Sequence, residues 1–149
     1  MIDSMLHNPS LVTALTAWLI AQTLKPFLEY LRTGSWNLYI IFSPGGMPSS
    51  HSALMVGATV GVALHEGVSS PVFTVALAMT MIVLYDAAGV RREAGKHAEK
   101  INILIEELLS GHPISDKELK EVIGHTPLEV LGGIILGVIV SISYWYWIG

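Results

Sequence analysis

Val130–Gly149, VLGGIILGVIVSISYWYWIG, runs for 20 residues without an acidic or basic side chain. A helix that crosses a bilayer needs roughly 20 mostly apolar residues, so this stretch reads as a membrane pass. Three more stretches lack Asp, Glu, Lys and Arg: Ser4–Leu24 (21 residues), Thr33–His65 (33) and Gly67–Tyr85 (19). Across all 149 residues, 52% are apolar and 13% charged, about half the roughly 25% charge share of a soluble domain. A water-soluble core protein is therefore the poorer explanation. Fifteen of the twenty charges lie between Asp86 and Glu129. The chain has no cysteine, which excludes a disulfide scaffold, a thiolate metal site and a cysteine nucleophile. A net charge of −4 without a basic run gives no sign of nucleic acid as a partner.

The expected architecture is all-α: a bundle of about four transmembrane helices forming one membrane-embedded domain over 1–149. The first helix is expected from Leu6 to about Leu28 and the second from Ser49 to His65. The third is expected from Pro71 to Ala88 and the fourth from Pro127 to Tyr146. Trp36–Phe42 is too short to span and reads as interfacial or re-entrant. Ser43-Pro-Gly-Gly-Met-Pro48 breaks the chain before the second helix. Asp3, and the absence of Lys or Arg before Lys25, argue against a cleavable signal peptide.

Between helices three and four lies a polar insertion, about 91–124. Ala94, Ala98, Ile101, Ile105 and Leu108 form the stripe of an amphipathic helix. Gly111-His112-Pro113 ends it, and Ser115 with Glu118 starts a second short helix. The segment reads as a cytoplasmic helical hairpin on the bilayer surface, with a homodimer contact or a lid as alternatives. All eight Lys and Arg fall on the face that holds this segment, which predicts that face to be cytoplasmic and both termini outside.

The polar residues gather on the same face. Lys25 closes the first helix with Arg32 seven residues on, His51 opens the second after Pro48-Ser49-Ser50, Asp86, Arg91 and Arg92 end the third, and His125 and Glu129 open the fourth. Ionisable groups near membrane depth are expensive and point to function. Cations, helix N-termini, the hydroxyls of Ser49 and Ser50, and a close-approach backbone at Gly45-Gly46 suit a phosphate. Two histidines suit metal-free phosphoryl transfer, one as nucleophile and one as acid. Glu129, one turn beyond His125, suits orienting its imidazole. Structural readings stand beside these. Glu129 fits a capping box with Thr126, and Ser49 fits an N-cap. Asp86 fits an ion pair with Arg91 or Arg92, and Lys25 and Arg32 fit snorkelling anchors. Gly57-x-x-x-Gly61 and Gly133-x-x-x-Gly137 fit close helix packing within the bundle.

Pro48-Ser49-Ser50-His51 resembles the second signature of the type 2 phosphatidic acid phosphatases, relatives of the vanadium haloperoxidases. Lys25 and Arg32 match the first signature, with Thr33 where that family has Pro. His125 and Glu129 keep the spacing of the third, with Glu in place of Asp and with Arg91 and Arg92 more than thirty positions upstream. Gly-Gly-Met-Pro-Ser-Ser-His-Ser, Asp-Ala-Ala-Gly-Val-Arg-Arg and Gly-His-Thr-Pro-Leu-Glu-Val together resemble a divergent four-helix branch of that superfamily, from Lys25 to Gly137.

The resemblance implies an integral-membrane phosphatase of lipid phosphates or pyrophosphates that works through a phosphohistidine without metal or other cofactor. His125 would be the nucleophile, Glu129 its orienter and His51 the acid for the leaving group. Lys25, Arg32, Ser50 and one of Arg91 and Arg92 would hold the phosphate, with Ser49 and Gly46 beside them and Asp86 in support. The expected location is the cell (inner) membrane, with the bilayer and a lipid phosphate as partners. A non-catalytic phospholipid-binding or scaffold protein is the alternative.

Overall fold

The computed structural model describes residues 7–42, 45–109 and 125–148, apart from the side chains of 91, 92, 99, 107 and 109. Among the described residues every regular element is helical. Helix α1 spans Pro9–Thr33. The Asn8 side chain accepts the Leu11 N–H at 3.1 Å, and Pro9 occupies the first turn, where a missing N–H costs nothing. At the far end Gly34, with φ +72°, donates its N–H to Tyr30 O at 2.8 Å. The helix thus runs five residues beyond the Leu28 expected from sequence. Pro26 lies inside it and removes one backbone bond without ending the helix. Lys25 is therefore a helix-interior residue, and Arg32 sits on the same helix two turns further on, near the same face.

A short 3-10 segment, Leu38–Phe42, follows, with Leu38, Tyr39 and Phe42 exposed, in keeping with the interfacial expectation. Helix α2 is Ser50–Glu66 and α3 is Pro71–Tyr85. A π turn, Asp86–Val90, leads directly into α4, Arg91–Leu109. The expected stop near Ala88 does not occur. No proline interrupts Asp86-Ala-Ala-Gly-Val-Arg-Arg, and the wider π turn carries the chain past Gly89. Helix α5, Pro127–Ile148, has 22 residues, about 33 Å of rise against about 30 Å of hydrocarbon.

Among the described residues three helical stretches are long and apolar enough to cross a membrane: Pro9–Thr33, Pro71–Glu106 and Pro127–Ile148. Helix α2, at 17 residues, falls short. It lies instead at the centre, packed against α1, α3 and α5, while α1 also touches α5. Small residues permit this. A Cβ on Gly57 would meet Ala14 Cα at 3.2 Å and Ala17 Cβ at 3.2 Å. One on Gly137 would meet Ala53 O and Gly57 N, both at 2.9 Å. Both Gly-x-x-x-Gly pairs thus pack within the bundle. Hydroxyls tie the same seams: Thr13 Oγ1 and Ser141 Oγ both donate to Gly57 O at 3.0 Å, and Thr59 and Thr80 Oγ1 lie 2.7 Å apart.

The buried centre is Ala17, Ala21 and Ala53, while Val72, Val75, Met79, Met81 and Ile82 of α3 face outward. Small and polar residues inside with branched apolar residues outside suit a bundle solvated by lipid tails. On α4, Ile101, Ile105 and Leu108 are exposed along the expected stripe. The second arm of the expected hairpin, Ser115–Gly124, lies outside the described residues.

Candidate phosphate site at the α1, α2 and α5 ends

The close approach of α2 to α5 builds the site. A Cβ on Gly133 would collide with Ser49 O and lie 2.7 Å from Ser52 Cβ. One on Gly132 would lie 3.3 Å from Met47 Cε. With both side chains absent, the Met47-Pro48-Ser49 corner rests on the start of α5, and Ser49 N–H donates to Glu129 O at 2.9 Å. That contact sets the first turn of α2 beside the first turn of α5. The rings of His51 and His125 consequently stand 6.5 Å apart, tilted by 60°.

His125 is 3% exposed. Its Nδ1 lies 3.1 Å from Glu129 Oε2, and the same oxygen accepts Thr126 N–H at 3.0 Å. Glu129 N–H in turn donates to Thr126 Oγ1 at 3.3 Å. Glu129 therefore caps its helix and orients His125 with one carboxylate, so the two readings of this residue coexist. An ionised carboxylate only accepts, so Nδ1 is the donor, and in the neutral ring the lone pair then lies on Nε2. That Nε2 is buried and, among the described residues, has no hydrogen-bond partner.

Lys25 is 1% exposed. Its stem passes behind Gly46, where an added Cβ would sit 3.8 Å from Lys25 Cδ and 3.1 Å from Ile40 Cδ1. Gly46 has φ +91°, a conformation that favours glycine. The charges of Lys25 and Arg32 both act on Glu129. Ser49 and Ser50 are buried. Ser49 Oγ is committed as the α2 N-cap, accepting Ser52 N–H at 3.3 Å and Ser52 Oγ–H at 2.9 Å.

A cavity of about 510 Å³ opens between these elements. Leu28, Glu29 and Arg32 of α1 form one wall, and Ile40, Gly45, Gly46 and Met47 form its floor. Thr126, Leu128 and Glu129 form the other wall. His125 lies behind Glu129 rather than on the wall. Among the expected residues, the structure gathers Lys25, Arg32, Gly46, Ser49, Ser50, His51, His125 and Glu129 at this end. Asp86 does not line the cavity. It belongs to the π turn, which packs against α5, because the helix continues past it rather than folding back. The side chains of Arg91 and Arg92 lie outside the described structure.

Glu29 is a cavity residue that sequence reasoning left without a role. It holds Arg32 at 3.0 Å, and its signal was its place one turn before Arg32 on a helix longer than expected. The apolar rim of Leu28, Met47 and Leu128 was also missed, since its members come from three separate segments.

The chain is 33% identical over 153 residues to the uncharacterized membrane protein YuiD of Bacillus subtilis (strain 168), covering 95% of this chain and 97% of the relative. No solved structure matches it. The Divergent PAP2 family matches residues 6–140, a range that holds every residue of the cavity and both histidines, and the chain is a membrane protein that belongs to this family.

Proposed function

We propose that the protein is a metal-independent phosphatase of lipid phosphates or lipid pyrophosphates, acting through a phosphohistidine. The observation that carries this reading is the setting of His125: Nδ1 bound to Glu129, Nε2 buried and without a partner among the described residues, and the His51 ring 6.5 Å away. Glu129 fixes the tautomer that leaves the Nε2 lone pair for attack and stabilises the imidazolium formed. Nε2 bonds to phosphorus as the bond from phosphorus to the leaving oxygen breaks, and His51 gives that oxygen its proton. Water then attacks phosphorus, the P–N bond breaks, and His51 takes the water's proton.

Lys25, Arg32, Ser50 and the α2 N-terminus, with one of Arg91 and Arg92, hold the phosphate oxygens. Ser49 and Gly46 shape that cradle, and Asp86 supports the arginines. The apolar rim of Leu28, Met47 and Leu128 suits a substrate whose tails remain in the bilayer. Purified protein assayed against lipid phosphates and pyrophosphates should release phosphate, and His125→Ala should lose roughly 10⁴-fold or more of that rate. Retained release in the folded variant overturns the mechanism.

We also place the site on the cytoplasmic side of the cell membrane, because the Lys and Arg residues share that face. A cysteine introduced by Ser115→Cys should then resist an impermeant maleimide in intact cells, and labelling reverses the orientation.

A further inference from the structure

Among the described residues, two carboxylates meet two cations at the cavity before any ligand arrives. Glu129 and Glu29 line it together with Arg32, and Lys25 acts on Glu129 from behind Gly46. A phosphate that enters competes with these two carboxylates for Lys25 and Arg32. Glu129 cannot yield readily, because one oxygen is held both by buried His125 and by the Thr126 backbone. The Glu29–Arg32 pair differs. It is a single contact of 3.0 Å between residues three apart on one helix, and the Arg32 side chain is 74% exposed.

We infer that Glu29 is a positioning residue that latches Arg32 at the cavity rim and competes with phosphate for its guanidinium. This rests on the phosphate-site reading above and assigns Glu29 within it. In the free site Arg32 is held against α1. On binding it exchanges one carboxylate oxygen for phosphate oxygens, for which its planar fork is better matched. Helix α1 brings Glu29 and Arg32 to the same wall, so the exchange needs only side-chain rotation. An exposed pair of this kind is weak, so the latch lowers phosphate affinity modestly, by about two- to fivefold.

The test is inorganic phosphate binding to the full chain in detergent, by titration calorimetry, for wild type, Glu29→Gln, Arg32→Ala and the double variant. Glu29→Gln should bind phosphate about two- to fivefold more tightly than wild type, and that gain should vanish in the Arg32→Ala background. A gain in affinity is not what misfolding produces. Equal affinity for wild type and Glu29→Gln overturns the latch and leaves the phosphate site standing. So does a gain that persists undiminished without Arg32, which would make Glu29 a direct repeller of the anion. Absence of binding in wild type and Glu29→Gln alike overturns the phosphate site and the latch together.

Discussion

The two walls of the cavity are built on different principles. On the α5 side, Glu129 is fixed from three directions: the Thr126 cap, the His125 ring and the Ser49 N–H on its own carbonyl. Behind it His125 is 3% exposed, and the glycines of α5 lock the wall to α2. On the α1 side, Glu29 and Arg32 meet through one contact, with the arginine largely in solvent. The α5 wall suits chemistry that needs one fixed imidazole geometry, and the α1 wall suits a ligand that must be caught and released. Buried, backbone-anchored groups lose little freedom on reaction, whereas exposed side chains can reorient at low cost.

Perturbing the α5 wall should therefore cost the most. Glu129→Gln keeps an oxygen for the Thr126 N–H, so the cap and the melting temperature should be nearly unchanged. The lost charge should lower kcat by about 10²- to 10⁴-fold in a phosphate-release assay. Full activity in that variant would reduce Glu129 to a helix cap. Gly133→Ala places a methyl against Ser49 O and should destabilise the bundle by about 1–3 kcal/mol, read as a lower melting temperature in detergent. Gly89→Ala, where a Cβ meets no atom within 4 Å, serves as the control. On the α1 wall, Arg32→Ala should raise KM about tenfold with little change in kcat, the loss of one charge-assisted hydrogen bond. A kcat effect as large as that of Glu129→Gln would erase the distinction between the walls.

Much of this was legible in the chain alone, for identifiable reasons. The charge-free runs mark the helices because hydrocarbon tolerates few ions. The spacing of His125 and Glu129 places them one turn apart on any helix, and Thr126-Pro127 fixes where that helix starts. The boundaries misread were those where one residue outweighed its context. The first helix was expected to end near Leu28, yet Gly34 supplies the real stop. The charges from Asp86 to Arg92 were read as an end, yet nothing there breaks a helix. Glu29 was missed because its relation to the cavity depends on α1 running through to Thr33.

Sequence by itself determined that this is a helical membrane protein, since that follows from composition and from the order of apolar runs along the chain. Tertiary structure alone decided that α2 is the centre of the bundle. A 17-residue apolar helix carries no mark of its neighbours. Only the fit of Gly133 and Gly137 against Ser49 and Ala53, and of Gly57 against Ala14, shows it. The same fit brings His51 to His125 across more than seventy residues of chain, because two helices can approach that closely only where side chains are absent.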